Sequence, residues 1–177
     1  MVTTEIATLE RLRCEMGLSR RQMLHAIGSL PRRDTLFDND AHVDPALLTA
    51  AQRLRDRYDD WKSLILSAVP AEESPRGALD TRELAAILGI SENYARVLAK
   101  RYLTPFPNRS PGIYGKREND AYQRQYVITR ESIQDLFNVN ETVLTPNERQ
   151  YCLNWRDGTQ HFRGPLGAAF LRWVEAH

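Results

Sequence analysis

The sequence predicts a mainly α protein with one small β-hairpin near its centre, and three observations carry that expectation. First, Leu47, Ala51, Leu54, Tyr58, Trp61, Ile65 and Ala68 recur at alternating spacings of four and three, the seam of a long packed helix. Second, Asp80 to Tyr102 reads as a helix, a tight turn and a second helix. Third, Ile113-Tyr114 and Tyr126-Val127-Ile128 are β-favouring runs on either side of a polar stretch, as in a hairpin. The elements fall into a helical N-terminal module (1–69), a linker (70–78), a central unit (79–137) and a helical C-terminal tail (138–177).

Composition sets the class. The chain has 177 residues, 42% hydrophobic and 27% charged, with a formal net charge of +1, as expected for a globular protein with enough length for a real core. No apolar run approaches membrane-spanning length and the N-terminus lacks a signal peptide's apolar core, so no membrane partner is expected. Cys14 and Cys152 stand far apart without a Cys-x-x-Cys or clustered His. That pattern points to a reducing cytoplasm and to no structural metal or cofactor, with a Cys14–Cys152 disulfide as the minority reading.

From Thr4 to Gly28 the pattern is helical. Ile6, Leu9, Leu12 and Met16 make one stripe, Gly17 interrupts it, and a helix restarting at Leu18-Ser19 turns Met23, Leu24 and Ile27 inward. His25, among apolar neighbours, reads as a half-buried helix residue rather than a ligand. The run Leu12 to Gly28 faintly resembles the opening of a repressor-type helix-turn-helix, but Pro31 and Arg32-Arg33-Asp34 break the pattern where a recognition helix would stand, and a helical hairpin is favoured. Asp34, Asp38, Asp40 and Asp44 are spread along a polar loop without the glycine and terminal glutamate of a calcium loop. Asp44-Pro45 then opens the long helix as N-cap and first-turn proline. Its seam suits packing within the chain, and Tyr58 and Trp61 would also suit a homodimer interface. Pro70 to Gly77 is a linker by composition.

The central unit carries the most specific signals. Asp80 with Glu83 has capping-box spacing. Leu84, Ala85, Ile87 and Leu88 give the first helix an apolar face, Gly89 ends it in a left-handed turn, and Ile90 plugs the corner. Ser91 caps the second helix, in which Ala95, Leu98, Ala99 and Tyr102 share one face while Asn93, Arg96, Val97 and Lys100 share the other. Between residues 91 and 130 stand eight basic residues (Arg96, Lys100, Arg101, Arg109, Lys116, Arg117, Arg124, Arg130) against three acidic ones (Glu92, Glu118, Asp120). Such a surplus suits phosphate neutralisation, although most charge runs are merely solvated. Three prolines end the second helix at Leu103 to Gly112. A hairpin is expected between Ile113-Tyr114 and Tyr126-Val127-Ile128, with a polar tip from Gly115 to Gln125. Thr129 and Ser132 then start a short helix carrying Ile133, Leu136 and Phe137.

This arrangement resembles a winged helix-turn-helix of the kind found in MerR-like regulators and phage excisionases. The segment Gln123 to Phe137 looks like their wing strand and closing helix. The resemblance covers about a third of the chain, and the hairpin departs from the family in being longer and lacking a Gly-Gly-x-Arg-Arg-Tyr run. It implies binding to double-stranded DNA by a homodimer, as a transcriptional regulator or excisionase-like architectural factor. In that frame Ser91 caps the recognition helix, and Asn93 and Arg96 read base edges, Asn suiting adenine and Arg guanine. Glu92 accepts from cytosine or simply favours the helix N-terminus. Lys100 and Arg101 meet phosphates, with Lys116, Arg117 and Arg124 from the wing.

In the tail, Thr145-Pro146-Asn147-Glu148 starts a helix running to Trp155. Gly164-Pro165 starts a last one carrying Leu166, Phe170, Leu171 and Trp173-Val174, and Trp155, Phe162, Phe170 and Trp173 are expected to be buried. Whether the tail packs on the N-terminal module, on the central unit or on a partner is left open. Glu148, Asp157 and His161 form no acid–base or metal spacing, and no phosphate loop or nucleophile elbow occurs, so no catalytic site is expected. The alternative to DNA binding is a protein-interaction module that uses the winged helix without DNA. An enzyme with a site assembled from distant residues ranks last.

Overall fold

Most of the described helices begin where a side chain can accept from a free backbone N–H group, as at Ser19, Asp44, Asp80, Ser91 and Thr129. In the computed structural model, which describes residues 4–28, 43–70, 79–102, 113–116, 122–124 (for the last two, the backbone), 128–141 and 163–177, helix α1 spans Thr4–Glu15 and α2 Arg20–Ala26. Between them Gly17 adopts φ +67°, and Ser19 forms a full capping box with Gln22. The Asp44 carboxylate accepts from the Ala46 N–H at 2.9 Å as α3 (Pro45–Ala68) begins. Helices α4 (Thr81–Leu88), α5 (Glu92–Tyr102), α6 (Arg130–Asn140) and α7 (Gly167–Ala176) come after it, so the chain is mainly α. The Asp34–Asp40 loop, the linker after Pro70, Arg117, Cys152, the helix read at Thr145–Trp155, Phe162 and the Glu148, Asp157 and His161 set lie outside the described residues.

The chain divides into two compact units. One is Met1–Trp61 with Val139–His177, the other Lys62–Asn138. The division falls inside α3 rather than in the linker, and the described part of the tail belongs with the N-terminal helices.

The first unit is built around aromatic rings. Tyr58, Trp61 and Phe170 are all at most 1% exposed. Phe170 meets the Tyr58 ring edge-on at 5.1 Å and lies 5.5 Å from Trp61. The seam residues offered as a dimer surface are thus used inside the unit. Trp173 is only half-buried, stacked on His177 and lying under the Arg57 guanidinium, a correction to its expected burial. His25 likewise is exposed rather than half-buried.

Two buried polar groups tie this unit together, and neither is signalled by its sequence neighbours. Arg13 is fully buried; its guanidinium donates to the Leu18 carbonyl at 2.9 Å and to Glu10 at 2.7 Å, and Glu10 also accepts from Arg20 at 2.7 Å. Asn140 is the second. Its Nδ2 donates to the Met16 carbonyl (3.2 Å) and the Tyr58 hydroxyl (2.9 Å), and its Oδ1 accepts from the Leu166 N–H at 2.8 Å. Gly17 and Gly164 make room for it, since a Cβ at either position would collide with the Asn140 carboxamide.

The Tyr58 hydroxyl donates in turn to Glu141 at 2.9 Å. Burial first, and then the Glu141 charge, hold its ionisation far above the ordinary tyrosine value of 10.0. The folded chain therefore keeps a proton that the unfolded chain releases near that pH. This contribution to stability is fully present below about pH 10 and is lost as the pH rises beyond it. Urea midpoints measured between about pH 8 and about pH 11 are expected to fall more steeply for the wild type than for Tyr58→Phe. Equal slopes would show that Tyr58 is not titrating against folding.

The second unit has its core at Ile65, Val69, Leu79, Leu84, Leu88, Ala95, Leu98, Ile128, Ile133, Leu136 and Phe137, each at most 6% exposed. Thr129 caps α6 through a 3.1 Å bond from the Ser132 N–H, and Arg130 ties it to the Val69 carbonyl at 2.8 Å. Leu79 and Ile128 exchange both backbone hydrogen bonds, at 2.7 and 3.0 Å, a one-residue antiparallel bridge that fixes the starts of α4 and α6. Strands β1 (Ile113–Lys116) and β2 (Tyr122–Arg124) pair antiparallel, with Ile113 opposite Arg124, Lys116 opposite Tyr122 and an irregular register between. Strand β1 starts on the expected flank at Ile113-Tyr114 and runs into the stretch read as the polar tip, and β2 lies wholly within that stretch. Ile128, read as part of the other flank, pairs with Leu79 instead, because strand preference is decided by the available partner more than by residue type.

Candidate nucleic-acid interface

The α4–turn–α5 segment owes its shape to local chemistry. Asp80 and Glu83 form the reciprocal capping box, with bonds of 2.8 and 2.9 Å. At the other end of α4, Gly89 takes φ +64°, ψ 35°. The Ile90 N–H reaches the Ala85 carbonyl (3.0 Å) and the Gly89 N–H the Ala86 carbonyl (3.4 Å), the two bonds of a Schellman turn. Ile90 is 9% exposed, tucked into the corner. A Cβ on Gly89 would touch nothing, so the need for glycine is purely one of backbone conformation. Gly89→Ala is therefore expected to destabilise the protein by about 1–2 kcal/mol in urea unfolding, with Gly89→Asn nearer the wild type.

Ser91 is the N-cap of α5, its Oγ accepting from the Tyr94 N–H at 3.2 Å. Helical spacing then separates two faces. Ala95, Leu98 and Ala99 are at most 1% exposed, and small alanines let α5 approach the core closely. Asn93, Arg96, Val97, Lys100 and Arg101 are exposed on the outside.

Glu92 is half-buried and accepts from Arg96 at 2.6 Å, with Arg82 of α4 at 4.0 Å. The Glu92–Arg96 pair joins residues four apart on an exposed helix face, an interaction of only a few tenths of a kcal/mol. It holds the Arg96 guanidinium over the first turn of α5, yet yields readily to a stronger acceptor. In the free protein, then, Glu92 is paired with Arg96 and orients its guanidinium.

The expected residues divide into groups. Ser91, Glu92, Asn93, Arg96, Lys100 and Arg101 are brought together on one helix. Lys116 and Arg124 lie on the two strands of the ladder, at opposite ends of its register, and Arg117 is outside the described residues. Val97 stands on the outer face and is absent from the contacts expected on sequence grounds. The signal for it is present: an apolar residue at the polar face's spacing.

Chemically, the face offers a carboxamide that can both donate and accept, a guanidinium fork and two further cations. It holds no nucleophile–base pair. Among the described residues no three His, Cys, Asp or Glu gather as metal ligands, and no helix is long and apolar enough to cross a membrane. No family model, curated protein or solved structure matches the chain.

Proposed function

We propose that the chain binds double-stranded DNA sequence-specifically through α5, as a transcriptional regulator or excisionase-like architectural factor acting as a homodimer in the cytoplasm. The supporting observation is the division of α5. One side is held in the core by alanines and Leu98, and the other presents Asn93, Arg96, Lys100 and Arg101 at 3.6-residue spacing beyond a Schellman turn and a serine cap. An exposed helix of that composition suits the major groove, where Asn reads adenine and Arg reads guanine bidentately. Lys100 and Arg101 then neutralise phosphates, and Lys116, Arg117 and Arg124 of the hairpin act as a wing on the flanking backbone. The reading assigns no catalytic residue and no cofactor. The rival reading is a protein-docking module that uses the winged helix without DNA.

The test is Arg96→Ala in fluorescence-anisotropy titrations against a selected duplex and point variants of it. The expected loss is about 1–3 kcal/mol of specific binding, with relaxed preference at one base position. Equal loss on every sequence would make Arg96 a phosphate contact.

A further inference from the structure

Val97 is an apolar side chain on the outer face of α5. It is 47% exposed, on a helix whose opposite side is buried among alanines and Leu98, and its neighbours on the outer face are Asn93, Arg96, Lys100 and Arg101. A lone branched apolar side chain inside a polar, cationic patch is too small to anchor a protein partner. Its size does match one feature of a duplex groove. The thymine 5-methyl is the apolar group that the major groove displays, and small apolar side chains are what contact it.

We infer that Val97 is a specificity-determining residue that packs against a thymine 5-methyl group beside the base read by Asn93. The inference rests on the DNA-binding reading of α5 and adds an apolar discriminator to its polar ones. Asn93 and Val97 are one turn apart, about 6 Å along the helix and roughly two base steps. The thymine is therefore expected within about two base pairs of the adenine that Asn93 contacts. Because the cations beside Val97 supply affinity irrespective of sequence, the methyl contact changes preference more than total binding.

The test uses the full chain and the tightest duplex recovered from a random pool, with each thymine in turn replaced by deoxyuridine, which removes the methyl and leaves base pairing intact. Wild-type protein is expected to lose about fourfold in affinity at one thymine of each half-site, the worth of one buried methyl, and to be indifferent at the others. Val97→Ala is expected to bind the thymine duplex several-fold more weakly than the wild type and to discriminate little between thymine and deoxyuridine at that position. Val97→Ile, which keeps the apolar surface, should retain the discrimination. Equal wild-type binding to every substituted duplex, or full methyl sensitivity persisting in Val97→Ala, overturns the inference while leaving DNA binding by α5 intact. Failure to bind any duplex overturns both.

Discussion

Asn140→Asp is expected to cost about 3–5 kcal/mol of stability, a large share of the about 5–15 kcal/mol typical of a folded domain. The native carboxamide donates to the Met16 carbonyl and the Tyr58 hydroxyl and accepts from the Leu166 N–H, all out of reach of water. Aspartate keeps the shape and removes both donors. A buried carboxylate would then face a carbonyl oxygen, with the Glu141 charge already on the Tyr58 hydroxyl. Asn140→Leu should be comparably damaging, since it leaves the Met16 carbonyl and the Leu166 N–H without a partner in a space fitted to a carboxamide by Gly17 and Gly164. Urea unfolding followed by circular dichroism measures the loss. A change below about 1 kcal/mol in both variants would mean that the cluster relaxes around the substitution or admits water.

The second large effect is on binding. Asn93→Ala combined with Arg96→Ala is expected to remove about 2–6 kcal/mol of sequence-specific affinity per half-site, two base contacts at about 1–3 kcal/mol each. Stability should stay within about 0.5 kcal/mol of the wild type, because both side chains are exposed. Lys100→Ala with Arg101→Ala makes the contrast. That pair should weaken all duplexes alike and flatten the salt dependence by about two phosphate contacts per protomer. Should the first pair behave like the second, α5 would lie along the phosphates rather than in the groove.

Much of the local structure was legible because it is written in nearest neighbours. Asp80 with Glu83, Gly89 and Ser91 place both ends of the turn within one or two residues, and the seam from Leu47 to Ala68 gives α3, although Ala68 itself is exposed. The face of α5 comes from helical spacing alone. Long-range choices were not legible. Nothing near Asn140 announces that its side chain will meet Met16, Tyr58 and Leu166, which lie far away in sequence. The same limit hid the burial of Arg13 and the pairing of Ile128 with Leu79. The spacing of Tyr58 and Trp61 marks them as packing residues, but the partner ring, Phe170, comes from the last helix, and only folding discloses that pairing.

The most direct measurement is an anisotropy titration of the full chain against a random duplex pool at two salt concentrations, with the bound sequences recovered. DNA binding through α5 predicts affinity that falls steeply with salt and an enriched sequence, palindromic for a two-fold dimer and tandem for an excisionase-like assembly. No binding at the lower salt concentration would contradict it.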